Sequence, residues 1–161
     1  MSRGRALGAA VAVAVFALDQ ASKFLVVHGF AAVGAEPTPL GPFLNLTLQL
    51  NPGISFSFFP QNTQAGIALL IAFTLGATGL LGAWLWKTTD LLIGTGIGAI
   101  IGGALGNAVD RLTFGAVVDF LDLHAFGRHF FVFNLADAAI NIGVALLLLE
   151  SFFGGGATKP R

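Results

Sequence analysis

Four long apolar segments dominate this sequence and limit what it can fold into. They cover approximately residues 6–27, 65–86, 91–112 and 133–153. A helix of about 20 residues crosses a hydrocarbon core of roughly 30 Å. The chain is 55% hydrophobic and only 10% charged, which is too apolar for an ordinary soluble domain. We therefore predict an all-α membrane protein with four transmembrane helices, in which residues 1–161 form a single domain.

The first apolar segment has an alternative interpretation as a cleaved signal peptide. Arg3 and Arg5 precede it, and a basic start before an apolar run is typical of such peptides. No small-residue cleavage site follows, however, and the apolar run resumes beyond Lys23. We therefore predict a membrane helix here.

Residues 41–60, between the first two helices, have the pattern of a β-segment. Apolar and polar residues alternate strictly over 44–51, and the alternation resumes over 55–58 after an Asn51-Pro52-Gly53 turn signal. Open strand edges cannot face lipid, so we expect a small extracytoplasmic sheet at the membrane surface. Residues 113–132 are too polar to span the membrane, and they predict a short loop or hairpin between helices three and four.

Glycine recurs every fourth residue along the third predicted helix, at Gly94, Gly98, Gly102 and Gly106. Such a stripe lets a neighbouring backbone approach closely. Four residues further along the same face is Asp110. The tightly packed face is therefore predicted to carry an acidic side chain.

The basic residues indicate the orientation of the chain. With four crossings, five of them fall on the side of the termini and three on or near the other side. The positive-inside rule then places both termini in the cytoplasm. The five are Arg3, Arg5, Lys87, Lys159 and Arg161, and the three are Lys23, Arg111 and Arg128.

Four acids are predicted to gather at the external leaflet. Asp19 lies about 12 Å inside the outer end of helix one, and Asp137 about 6 Å inside that of helix four. Asp110 ends helix three, and Asp119 follows in the outer loop. Ionisable residues at the margin of hydrocarbon are candidates for a functional site. Asp122 is interpreted as a solvated loop residue.

Several kinds of chemistry have no support in this sequence. It has no cysteine, no nucleophile-elbow serine and no H-E-x-x-H motif, and its basic residues form no patch for nucleic acid. His28, His124 and His129 leave an Asp/His metal site conceivable, but we expect no metal and no cofactor. A pair of carboxylates that shares one proton can instead activate water and polarise a carbonyl group. The alternative, a small proton-coupled transporter or channel, would spread its acids through the depth of the bilayer.

Five short motifs in this order resemble the lipoprotein signal peptidases, also called signal peptidase II, over nearly the whole chain. The motifs are Asp19-Gln20-Ala21-Ser22-Lys23, Asn51-Pro52-Gly53-Ile54-Ser55-Phe56, Gly106-Asn107-Ala108-Val109-Asp110-Arg111, Val117-Val118-Asp119-Phe120 and Phe133-Asn134-Leu135-Ala136-Asp137.

The resemblance implies an aspartic endopeptidase of the bacterial inner membrane that cleaves prolipoproteins before a cysteine carrying a diacylglyceryl group. Prolipoproteins and membrane lipid are the implied partners. Asp119 and Asp137 match the catalytic pair. Supporting or substrate-binding positions match the following residues: Asp19, Lys23, Asn51, Gly53, Asn107, Asp110, Arg111 and Asn134. Ile54 and Ser55 stand where small apolar residues are expected.

The residues alone leave open whether Asp110 or Asp119 pairs with Asp137. Asp110 has Arg111 beside it and Lys23 at a similar depth, which favours a salt-bridged structural role. Asp119 has Val118 and Phe120 on either side, which favours a raised pKa.

Two polar features of the helices also have structural interpretations. Asp19 and Lys23 are four residues apart, so an ion pair within helix one is as reasonable as substrate contact. Asn134 could cap the start of helix four and steady Asp137.

Overall fold

The computed structural model describes residues 1–33, 37–52 and 63–153, without the side chains of residues 30–33. The helices and strands, in chain order, are α1 (Arg3–Val33), β1 (Thr38–Pro39), β2 (Leu44–Asn51), α2 (Gln64–Lys87), α3 (Leu91–Phe114), β3 (Val117–Ala125), β4 (Arg128–Phe133) and α4 (Leu135–Phe153). All four helices are long and apolar enough to cross a membrane, which confirms the predicted fold class. The predicted turn at Gly53 and the alternation over residues 55–58 lie outside the described residues.

Local capping explains where α2 and α3 begin and where α3 ends. The Thr63 side chain accepts the Gly66 N–H at the start of α2. The Asp90 carboxylate accepts the N–H groups of Leu92 and Ile93, so only a short turn separates α2 from α3. Gly115 ends α3 in the left-handed conformation, with φ of 71°.

The glycine stripe of α3 packs closely against another helix backbone, as the sequence predicts, and that helix is α1. A methyl group at Gly94 or Gly98 would collide with the carbonyl oxygen of Gly4 or Gly8 respectively. The opposite side of α3 packs as closely against α4, where a methyl group at Gly96 would lie 2.9 Å from the Gly143 carbonyl oxygen. Because these positions of α3 carry no side chain, the backbones of three helices come close together. α3 is therefore the central helix of the bundle.

The two outer segments form one sheet. Its strand order is β1-β2-β3-β4, and each neighbouring pair is antiparallel. β2, which follows α1, pairs with β3, which follows α3, so that Leu44 lies opposite Leu123 and Asn51 opposite Val117. The sequence predicted a sheet and a separate loop or hairpin; pairing them satisfies backbone groups that open edges would leave unpaired near lipid.

The sheet rests on the end of α1. Phe120 of β3 is buried against Val26 of α1, and Leu46, Leu48 and Leu121 complete this apolar contact. The first residues of β3, including Asp119, are thereby held against the helix bundle.

Replacing Gly98 with alanine tests the close packing of α1 and α3. We expect the Gly98→Ala variant to unfold more easily, by roughly 1–3 kcal/mol, because its methyl group meets the Gly8 carbonyl oxygen. Gly76→Ala in α2 is the matched control, since none of the described atoms lies within 4 Å of the added methyl group. Thermal unfolding in detergent compares them; equal shifts for both variants would contradict this packing.

Candidate active site

The acids Asp19, Asp110, Asp119 and Asp137 lie together at one end of the helix bundle, where α3 ends and α4 begins. Asp90 belongs to the opposite end, where Ser2 Oγ donates to the Thr88 carbonyl oxygen. The described acids therefore form no path through the bilayer.

A buried lysine holds two of the acids. Lys23 Nζ lies 2.7 Å from Asp19 Oδ2 and 2.7 Å from Asp110 Oδ2, and its side chain is only 4% exposed. Asp19 Oδ1 also accepts the Ala136 N–H at 2.9 Å, and Asp110 Oδ2 accepts the Val118 N–H at 3.1 Å. The predicted ion pair within α1 is present, and the lysine links α1, α3, α4 and β3.

Gln20 also belongs to this cluster, although it was not among the predicted site residues. Its side-chain amide donates to Asp110 Oδ1 at 3.1 Å and to the Gly106 carbonyl oxygen at 3.2 Å. A polar residue beside Asp19 in an apolar segment was the available signal.

Asn107 connects the lysine to Asp137. Its Oδ1 accepts from Lys23 Nζ at 2.9 Å and from Asn134 Nδ2 at 3.2 Å, while its Nδ2 donates to Asp137 Oδ1 at 2.9 Å. Two donors facing Oδ1 fix the orientation of the amide. Asn107 therefore presents a donor to the Asp137 carboxylate.

Asn134 contacts both candidate catalytic acids. It is fully buried directly before α4, where its Oδ1 accepts the Asp137 N–H at 2.9 Å, so the predicted capping role is observed. Its Nδ2 donates to Asp119 Oδ1 at 2.7 Å, and its backbone N–H donates to Asp137 Oδ2 at 3.3 Å. One residue thus ties the carboxyl group from β3 to the carboxyl group from α4.

Asp119 lies in an environment that favours its protonated form. Burial raises the pKa of Asp119, and the nearby charge of Asp137 raises it further, while hydrogen bonds from Asn51 and Asn134 lower it. The result is a pKa of about 6 instead of 3.8. Asn51 Nδ2 donates to Asp119 Oδ2 at 3.0 Å. The raised pKa agrees with the expectation from the apolar neighbours of Asp119.

Arg111 does not play the predicted role beside Asp110. Within the described residues the salt bridge of Asp110 is made by Lys23, and Arg111 forms none. Its Nη1 donates to the Asn107 carbonyl oxygen at 3.3 Å, one helical turn back. Arg111 therefore supports the backbone that carries Asn107.

The interpretation of Asp122 as a solvated loop residue is wrong. Asp122 is only 4% exposed, because it lies on β3 between two other strands. Its Oδ2 accepts from Asn45 Nδ2 at 3.1 Å and from His129 Nδ1 at 2.7 Å. Burial acts to raise the pKa of Asp122, but these two hydrogen bonds, together with the charges of His129 and His124, outweigh it and the pKa is lowered.

The described residues contain no group of three or more histidine, cysteine, aspartate or glutamate side chains that could hold a metal ion. An open groove borders Asp137 between β4 and α4. Its lining residues are Phe131, Phe133, Asp137, Ala138, Ile140 and Asn141. The half-buried Asp137 is thus accessible from the groove, while Asp119 is buried.

Residues 11–153 match the sequence model of the family described as Signal peptidase (SPase) II. The chain belongs to the signal peptidase II family. It is similar to the lipoprotein signal peptidase of Beijerinckia indica, with 46% identity over 97% of this chain and 93% of that protein. The lipoprotein signal peptidase of Methylocella silvestris is also 46% identical, over 92% of this chain and 87% of that protein.

Solved structures agree with this family assignment. Two structures of a bacterial membrane enzyme, determined by the in meso method, have TM-scores of 0.75 and 0.76 with 28% sequence identity. The first comparison covers 96% of this chain and 94% of the other, and the second covers 91% and 92%. The protein is accordingly a multi-pass membrane peptidase.

Infrared spectroscopy can measure the protonation of Asp119. Because the pKa of Asp119 is raised, its protonated carboxyl group adds to the free energy of unfolding. This contribution is complete below pH 3.8 and is lost as the pH rises through about 6. The carbonyl band of the protonated acid should therefore disappear with a midpoint near pH 6 in the wild type and be missing from Asp119→Asn. A midpoint near 3.8 would show that the pocket does not favour the protonated acid.

Proposed function

We propose that this protein is an aspartic endopeptidase that removes the signal peptide from diacylglyceryl-modified prolipoproteins. It cleaves on the N-terminal side of the lipidated cysteine, with Asp119 and Asp137 as the catalytic pair. The observation that carries this proposal is Asn134, which is hydrogen-bonded to Asp119 and Asp137 together. The similar proteins of Beijerinckia indica and Methylocella silvestris are lipoprotein signal peptidases, which supports the substrate class.

The two acids have different roles in the reaction because they share one proton. Like charges in one pocket disfavour a doubly ionised pair, and the raised pKa of the buried Asp119 makes it the group that holds the proton. Asp137 borders the groove and accepts hydrogen bonds from the Asn107 amide and the Asn134 N–H, which suits the ionised form.

The reaction follows from these protonation states. Asp137 takes a proton from a water molecule as the water oxygen attacks the scissile carbonyl carbon, while Asp119 gives its proton to the carbonyl oxygen. The tetrahedral diol then collapses: Asp137 passes its proton to the amide nitrogen, Asp119 takes back a hydroxyl proton, and the C–N bond breaks. A signal-peptide carboxylic acid and the free amine of the lipidated cysteine leave, and the pair regains its single proton.

The other predicted site residues hold the pair in place. Lys23 forms salt bridges with both Asp19 and Asp110, and Asn107 and Asn134 orient the carboxyl groups of the pair. Asn51 donates to Asp119, and Arg111 steadies the helix that carries Asn107. Gly53 lies outside the described residues, and its role as a pocket residue rests on the family resemblance.

The groove beside Asp137 suits a lipidated substrate. Phenylalanine and aliphatic side chains line most of it, so acyl chains and an apolar signal peptide can approach the pair without leaving hydrocarbon. Membrane lipid would occupy the groove in the absence of substrate.

We further propose that the protein lies in the bacterial cytoplasmic membrane with both termini in the cytoplasm. Arg3, Arg5 and Lys87 lie at the end of the bundle opposite the acid pair, which supports that orientation by the positive-inside rule. The active site would then face the outer leaflet.

Removing either carboxyl group tests the pair. We expect Asp119→Asn and Asp137→Asn each to reduce cleavage of a diacylglyceryl-modified prolipoprotein by about a thousandfold, because an amide cannot exchange the required proton. Cleavage is followed by gel shift with purified protein. Glu150→Gln at the opposite end of α4 is the matched control and should retain wild-type activity.

Thermal unfolding of the same variants separates chemistry from folding. Both Asn variants should remain folded, because the amide occupies the same volume. A folded variant at either position that still cleaves within a few-fold of the wild type would exclude that acid from the catalytic pair.

A further inference from the structure

Asn141 places a carboxamide on the surface of a membrane-spanning helix. It lies six residues after the start of α4, about 9 Å into the helix, and its side chain is exposed. Among the residues that the structure describes, none forms a hydrogen bond with this side chain. A polar group facing hydrocarbon without a partner is unfavourable, so a partner beyond the described residues is expected.

The position of Asn141 connects it to the active site. It follows Asp137 by four residues and therefore lies on the same face of α4, about 6 Å deeper in the membrane. Both side chains line the groove between β4 and α4, whose other lining residues are apolar. An occupant that reaches Asp137 along this groove therefore passes Asn141.

We propose that Asn141 is a substrate-binding residue, and that its side-chain Nδ2 donates a hydrogen bond to a carbonyl oxygen of the lipidated substrate. This inference rests on the proposed function, which supplies a substrate that extends from the scissile bond into hydrocarbon. A substrate carbonyl there lacks water just as Asn141 does, so the contact satisfies two polar groups at once.

Two parts of the substrate carry a carbonyl group of this kind. One is the signal-peptide backbone before the scissile bond, and the other is the ester of the diacylglyceryl group. Both run from the cleavage site toward the membrane interior, and substrates with ester-linked or ether-linked chains distinguish them, because an ether lacks the carbonyl oxygen.

The central variant is Asn141→Leu, which keeps the size of the side chain and removes the donor. We expect KM to rise about three- to tenfold, the range of one hydrogen bond, with kcat little changed. The unfolding temperature should be equal or higher, because a polar group is removed from the lipid-facing surface. Ile142→Leu, at a neighbouring position that is 58% exposed, is the matched control and should leave KM unchanged.

The ether substrate identifies the bonded carbonyl. If the ester is the partner, the KM of the wild type rises by the same factor when the ether substrate replaces the ester substrate. The KM of Asn141→Leu is then the same for both substrates. If the peptide backbone is the partner, Asn141→Leu weakens both substrates equally. Thermophoresis measures the binding of each lipidated peptide in detergent and gives the same comparison without cleavage. If the wild type cuts neither substrate, the proposed function fails, but the effect of Asn141→Leu on binding can still be measured.

Two results would overturn the proposal. One is an unchanged KM and binding affinity for both substrates in Asn141→Leu. The other is a change in oligomeric state by native mass spectrometry with substrate affinity retained, which would show that Asn141 pairs with a second copy of the chain.

Discussion

The ammonium group of Lys23, enclosed between the carboxylates of Asp19 and Asp110, is the interaction on which the rest of the site depends. Charges this deeply buried are tolerated only when they are paired and hydrogen-bonded. The remaining lone pairs of the two acids accept the N–H groups of Ala136 and Val118. Those two residues directly precede Asp137 and Asp119, so one ion cluster fixes the backbone beside both members of the proposed pair.

The small sheet completes this arrangement from outside the bundle. β3 is an interior strand, and its pairing with β2 brings Asn51 to Asp119 although the two are far apart in sequence. Inside the membrane, the glycines of α3 let the backbones of α1 and α4 approach closely, which brings Asp19, Asp110 and Asp137 near one another. The glycine stripe is therefore part of what brings the acids together.

Much of this could be predicted from sequence, because hydropathy and periodicity are local properties. The four spans, the β2 strand and the contact face of α3 all follow from spacing along the chain. Pairing between β2 and β3 is not local, which is why a single sheet and the burial of Asp122 were missed. The salt-bridge partner of Asp110 was predicted only in part. Arg111 is its neighbour in sequence and Lys23 lies at a similar depth, but among the described residues only Lys23 forms the salt bridge.

The proposed mechanism requires Asp119 and Asp137 to act on one reacting carbonyl group. Its most direct test is a structure of the protein with a lipidated peptide whose scissile bond is replaced by a hydroxyethylene group. We expect the hydroxyl oxygen to lie within about 3 Å of a carboxylate oxygen from each of the two residues. A hydroxyl group held by only one of them, or bound away from both, would contradict it.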